Sequence, residues 1–467
     1  MPTKKSINTT DQTRNSISRW FLANSTVFAI LMTAPVLISI SAMGCDANPA
    51  IQEATQQEQE TNFAAAPDAE ANELVAGPWH QWRGPNGNGV VIDQTPVTEW
   101  SADKNVLWKT QVPGRGHASP IVVGEQIILA TADKEAQTQS VISFNLASGE
   151  KNWETVVNEG NFNPRIYPTN THASSTVACD GDRLFVVFNN DSRAQLAALD
   201  LKGSLLWEKK AADFIPKRYK FGFGSSPIIH KDLVIVTSEC EQDGSMVAFN
   251  TASGDEVWRV AREAATSYST PVVANVGGKQ QMILSGAGST TSYDPNNGKE
   301  LWSVPGPWQV TCGTAVWNDD TIFTSGGFPT QQTMAIKADG SEEVVWQNKA
   351  KCYEQSMLYH DGHIYGLSDR GVCYCWRATD GKEMWTQRME DKISASPIMA
   401  NGHIYFTVQS GKTFVIKANP GECEVVAENQ LGQIAYATPT VANNNLLFRV
   451  GEGADDDVQE WLYCIGK

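Results

Sequence analysis

The sequence predicts an all-β fold: an eight-bladed β-propeller of four-stranded blades, its ring closed by an N-terminal strand that completes the last blade. Three observations carry this. A Gly-centred turn recurs along the chain, a tryptophan follows nearly every copy, and a small residue, often before Pro, opens a β-branched stretch eight times. Units of 40 to 55 residues holding four short strands mark propeller blades.

The turns centre on Gly149, Gly203, Gly254, Gly298, Gly340, Gly381 and Gly421, each preceded by Asn, Asp, Lys or Arg a few residues earlier. Gly or an Asn/Asp neighbour supplies the positive φ that such hairpins need. Within six residues come Trp153, Trp207, Trp258, Trp302, Trp346 and Trp385; the seventh copy has Val425-Val426 instead. The period explains the tryptophans as wedges packing one blade against the next, so they say nothing of a ligand. The strand openings are Ser119-Pro120, Ser174, Ser226-Pro227, Thr270-Pro271, Gly313, Ser356, Ser396-Pro397 and Thr438-Pro439. The eighth unit ends at Lys467 without a Trp strand, while Trp108 stands before the first unit without partners. Joining the two closes the ring and leaves only short, protected edges.

Ahead of the repeat, residues 1–44 read as a signal peptide. Basic residues up to Arg19 precede an apolar run ending in Ser41-Ala42-Met43-Gly44-Cys45. This resembles a bacterial lipobox, in which Cys45 is lipidated after cleavage. Ala42 and Met43 depart from the usual pattern, so a plain signal peptide or an uncleaved anchor stays open. Residues 45–77, rich in Ala, Gln and Glu, read as a disordered tether, leaving 78–467 for the propeller. The expected location is the bacterial cell envelope, facing the periplasm, with membrane contact through an N-terminal lipid anchor. A formal charge of −16, which becomes −19 without residues 1–44, argues against nucleic acid as a partner.

Over residues 105–467 the blade motifs resemble the pyrroloquinoline-quinone-like (PQQ-like) repeat superfamily. Length, blade count and lipobox are most similar to the lipoprotein scaffold subunit of the outer-membrane β-barrel assembly machinery. The stretch Trp79-His-Gln-Trp82-Arg-Gly84-Pro-Asn-Gly87-Asn-Gly89-Val90 resembles a motif found ahead of such propellers in planctomycetes. The resemblance implies the fold strongly and the function weakly, because these blades serve dehydrogenases and binding proteins alike. In the dehydrogenases it implies PQQ with calcium, two adjacent cysteines in a disulfide ring, and an acidic base. This chain has no Cys-Cys pair; Cys373-Tyr374-Cys375 puts two thiols on one strand face instead. His360 and His363 flank an Asp-Gly turn and read as a solvated hairpin rather than a metal site. No cofactor and no metal are expected.

In a propeller the connections into each innermost strand gather around the central channel. Here they carry Arg115 and His117, then Arg165, Tyr167 and His172, then Lys217, Arg218, Tyr219 and Lys220. Later units add Tyr268, Trp308, Tyr353 with Glu354, and Tyr436. Bases and aromatics on an acidic chain suit a small anionic or carbohydrate-like ligand, or a partner protein's acidic loop. The alternative is that these aromatics merely cover the channel mouth. The resulting expectation is a non-catalytic envelope scaffold. A PQQ-dependent alcohol or sugar dehydrogenase is the alternative, and a polysaccharide-binding protein a third reading.

Overall fold

The computed structural model describes residues 74, 76–389, 391–454 and 457–467. The signal peptide, Cys45 and nearly all of the expected tether lie outside the described residues. Among the described residues every regular element is a strand. The strands form eight sheets, each a meander of four from the channel outward. Blade 1 consists of Ile121–Val123, Gln126–Asp133, Thr138–Asn145 and Lys151–Glu159. Blades 2 to 7 open with Ala178–Cys179, Ile228–His230, Val272–Val276, Val316–Trp317, Leu358–His360 and Ile398–Ala400. Blade 8 holds Thr440–Ala442, Asn445–Glu452 and Gln459–Ile465, with Val106–Val112 as its outer strand. In that pairing Trp108 faces Cys464 and Lys109 faces Tyr463, so the N-terminal strand closes the ring as expected.

Burial changes systematically across a blade. Second strands are buried on both faces: every residue of Leu233–Glu239 is buried, because neighbouring blades cover both sides. Outer strands alternate instead; Val106–Val112 buries one face and wets the other.

The two repeated signals have separate mechanical roles. Six of the tryptophans, Trp108, Trp153, Trp207, Trp258, Trp302 and Trp346, lie on the turn glycine of the following blade. A Cβ on Gly149 would come within 2.5 Å of Trp108, and one on Gly203 within 2.6 Å of Trp153. Those glycines also hold φ of 73° and 88°, so two independent constraints select the same residue. Trp108, Trp207, Trp346 and Trp385 donate their indole N–H to carbonyls of the next blade's turn, at Leu146, Thr251, Ala378 and Asn419. Trp153 and Trp302 reach it through a glutamine, Gln126 or Gln281, whose amide donates onward to Leu201 O or Ala338 O.

The small-residue motif builds a hydroxyl girdle around the channel. Ser119 N donates to Thr176 Oγ1, Thr176 N to Ser226 Oγ, and Ser226 N to Thr270 Oγ1. Thr314 N donates to Ser356 Oγ, Ser356 N to Ser396 Oγ, Ser396 N to Thr438 Oγ1, and Thr438 N back to Ser119 Oγ. Only a short hydroxyl side chain fits that crowded axis and still accepts a neighbour's N–H.

Blade 7 departs from the pattern twice. Val90–Val91 pairs in parallel with Ile398–Ala400, adding a fifth strand on the channel side. Its outer strand, Val425–Gln430, lacks the wedge. Register places Ala427 opposite Val415, where Trp385 of blade 6 stands opposite Cys375, so Ala427 and not Val425 occupies the tryptophan position. Trp100, from the N-terminal segment, fills the space. In other blades the wedge packs on an aromatic of the second strand: Trp207 on Phe185 at 5.8 Å, Trp346 on Phe323 at 6.0 Å, Trp385 on Tyr365 at 6.1 Å. Trp100 lies 6.3 Å from Tyr405, the same position in blade 7, and 5.3 Å from Phe448 of blade 8. Asn429 fixes it by accepting from Trp100 N at 2.8 Å.

Candidate functional site

Strand alternation gives the propeller two unlike ends. One carries the crossovers between blades and the hairpins joining second to third strands; the other carries the tight turns.

The tight-turn end is closed by the chain itself. Val122 N of blade 1 donates to Trp79 O, and Cys179 N of blade 2 to His80 O. Trp82 Nε1 donates to Thr314 Oγ1 at 2.9 Å, Arg83 Nη2 to Met357 O at 2.6 Å, and Met399 N to Gly89 O. A Cβ on Gly87 would sit 3.1 Å from Val272 of blade 4. The Trp79–Val91 stretch thus touches the inner strands of six blades. Arg83 is wholly buried, and burial lowers its guanidinium to about 9. The segment wraps that side chain: Arg83 Nη2 also donates to Asn88 O, and a Cβ on Gly89 would meet it at 2.7 Å.

At the loop end the expected rim residues fall into two groups. Tyr167 lies 5.0 Å from Phe221, which stacks on Tyr219 at 6.3 Å and meets Tyr268 edge-on at 6.2 Å. Tyr219 contacts Phe328 at 6.2 Å, and Gly327 N, next to Phe328, donates to Val310 O beside Trp308. An aromatic ladder therefore runs from the blade 1–2 crossover to blade 5. Tyr167 is 51% and Trp308 50% exposed, so the ladder presents apolar surface outward rather than only sealing the channel. Arg165, Lys217, Arg218 and Lys220 fringe it, all exposed, and none makes an ion pair among the described residues. Arg218 lies 5.0 Å above the Tyr219 ring. Glu241 holds this loop by accepting from the backbone N–H of Lys217, Arg218 and Tyr219. Burial alone would raise that carboxyl, but these donors hold it below its usual range.

The second group is built into the ring. Arg115 pairs with Glu460 at 3.0 Å, and Glu460 pairs with buried Arg449 at 2.6 Å. His117 stacks on Tyr436 at 4.4 Å and His172 against Phe162 at 4.3 Å. Burial, with Arg449 and Arg115 nearby, lowers His117 to about 3; burial, with Lys134, lowers His172 to about 4. Both rings are neutral at pH 7 and offer no charge to a ligand. Lys351 pairs with Asp369 at 3.1 Å and covers the Tyr353 ring at 4.4 Å. Glu354 reaches solvent in the channel mouth, yet the walls around it raise its carboxyl, with Asp369 adding and Ser394 and Lys351 opposing.

Phe221, Phe328 and Glu241 were not among the expected rim residues. Phe221 directly follows the Lys217–Lys220 run, a signal visible in the sequence. Phe328 lies on a second-to-third-strand hairpin, outside the crossovers.

The adjacent-cysteine ring that the resemblance implies for PQQ with calcium has no counterpart among the described residues. Cys373 and Cys375 are buried, unbonded thiols inside blade 6, facing Leu367 and Tyr365 across the sheet. Among the described residues no three His, Cys, Asp or Glu side chains cluster as metal ligands. One end of the channel is filled by the Trp79–Val91 stretch.

Comparison with known proteins follows the same division. The family profile described as outer membrane protein assembly factor BamB matches residues 69–164, 137–387 and 291–424, more than half of the chain. Outer membrane protein assembly factor BamB of Burkholderia pseudomallei is 21% identical over 386 residues, covering 77% of this chain and 89% of that protein. The 1-butanol dehydrogenase (quinone) of Thauera butanivorans is 27% identical over 317 residues, covering 62% of this chain but only 46% of the enzyme. A europium-containing methanol dehydrogenase superposes with a TM-score of 0.63 at 12% identity, over 84% of this chain and 98% of that one, which shows a shared fold. Relatives of both kinds point to an envelope or periplasmic setting. The chain belongs to the PQQ-like propeller family whose profile carries the description of outer membrane protein assembly factor BamB.

Proposed function

We propose that the chain is a non-catalytic binding propeller of the cell envelope that holds a partner protein on its loop end, tethered to a membrane through Cys45. The observation that carries this is the exposed aromatic ladder fringed by four unpaired bases. Aromatic anchors within a charged rim are the composition of protein-binding patches. Four unpaired cations on a chain of charge −16 select an acidic partner surface. Resemblance to the assembly factor of Burkholderia pseudomallei supports the same reading.

The test is site-specific photocrosslinking in the native envelope, with a benzophenone residue in place of Phe221 and, as control, of Val257 on the far end. A discrete adduct from position 221, lost in Arg218→Glu, supports the reading; equal labelling from both positions overturns it. Similarity to the butanol dehydrogenase favours a second reading, a PQQ-dependent oxidoreductase, which cofactor titration separates from the first.

A further inference from the structure

The tight-turn end carries an open cleft at one seam only partly bridged by protein. It has a volume of about 780 Å³ and lies between blades 1 and 2, lined by Gln126, Asn145, Asn152, Trp153, Leu201 and Lys202 among others. We propose that this cleft binds a neutral saccharide. The proposal does not depend on what the loop end holds.

Its openness has a local cause. At the next seam Arg183 of blade 2 pairs with Asp180 and reaches Thr251 Oγ1 of blade 3. At the one after, His230 and Lys231 of blade 3 both reach Asn296 of blade 4. By register Gln126 takes the place of Arg183, and Val123 and Gly124 take those of His230 and Lys231, so only the amide of Gln126 crosses, to Leu201 O at 3.1 Å. The residue before the wedge is also different here. It is Leu107, Leu206, Val257, Leu301, Val345 or Met384 in other blades, and Asn152 in blade 1.

The polar groups of the cleft are anchored on one side and open on the other. Asn145 Oδ1 accepts from Ala147 N and Ser148 N, both at 2.9 Å, which leaves its Nδ2 to donate outward. Asn152 Nδ2 donates to Ser143 Oγ at 3.1 Å, which leaves its Oδ1 to accept. A fixed donor and a fixed acceptor beside the half-buried Trp153 suit a sugar, whose hydroxyls both donate and accept and whose C–H face packs on an indole. Glu125 and Lys202 add one charge of each sign, so the cleft favours no ionic ligand. Its volume suits one or two sugar rings.

The experiment titrates the mature chain with cellobiose, maltose and chitobiose, read by tryptophan fluorescence and saturation-transfer NMR. The expected result is binding of at least one disaccharide with Kd on the order of 0.1 to 10 mM. Asn152→Leu, which gives blade 1 the residue type of the other blades, should keep the melting temperature and weaken binding roughly five- to tenfold, as loss of one hydrogen bond implies. Replacing the probe by glucuronate or glucosamine should bring no gain. No signal from any of the three sugars at about ten times the upper Kd, or binding unchanged in Asn152→Leu, overturns the proposal.

Discussion

Trp100 gives the sharpest test of how the ring is held shut. It is 4% exposed, lies against Tyr405 and Phe448, and belongs to the cluster joining blades 7 and 8. Its partners come from strands more than three hundred residues away, and Ala427 leaves the space it fills. Trp100→Ala removes a buried indole from a seam whose neighbours are strands and cannot collapse inward. Comparable substitutions cost about 3 to 5 kcal/mol. Ala427→Trp should also destabilise, by about 1 to 3 kcal/mol, because two indoles would compete for one space. Introduced together, the two changes should cost less than their sum, since one relieves the other. Guanidinium unfolding of all three variants, followed by circular dichroism, provides the measurement. A loss below about 1 kcal/mol for Trp100→Ala, or strict additivity in the double variant, would show that Trp100 is not the missing wedge.

Other expectations rest on different contacts. Glu460→Gln should cost about 3 to 5 kcal/mol in thermal or denaturant unfolding, because it leaves Arg449, whose side chain is 1% exposed, without its carboxylate. Gly149→Ala should destabilise clearly more than Gly124→Ala in the same assay. Both sites have positive φ, but only the Gly149 position abuts a tryptophan, and nothing lies within 4 Å of Gly124. His117 and His172 titrate near 3 and 4 when folded and near 6.5 when unfolded, so the unfolded chain takes up protons first as pH falls. Their stability contribution is full above pH 6.5 and is lost on descending toward 4. The slope is at most about 1.4 kcal/mol per pH unit for each, and less because both residues are only partly buried. Replacing both by Phe should flatten the dependence of the melting temperature between pH 6.5 and 4.5; an unchanged slope would count against buried neutral imidazoles.

The repeat was legible because each blade repeats the same local solution. Turn glycine, wedge tryptophan and small hydroxyl residue fall within one unit, and their spacing survives whatever the rest of the sequence does. Closure by Trp108 was equally readable, as an element missing from one end and surplus at the other. The Trp79–Val91 stretch was visible as a motif, but its role was not. It pairs with six blades at sequence separations of tens to hundreds of residues, and nothing in its composition names those partners. Trp100 was hidden for the same reason: a wedge borrowed from outside the repeat leaves only a gap in the period. At the loop end, residue type showed aromatics and bases but not their division. Arg115 and His117 resemble Arg218 and Tyr219 as letters. The first two are drawn into the blade 8 seam by Glu460 and Tyr436, while the latter stand on a loop held outward by Glu241.

Titration of the purified chain with PQQ and calcium tests most directly whether this is a binding propeller without cofactor chemistry. A binding propeller should show no change in cofactor absorbance and no rise in melting temperature up to high micromolar cofactor. Stoichiometric binding with a raised melting temperature would contradict it and make dye-linked alcohol oxidation the reaction to examine.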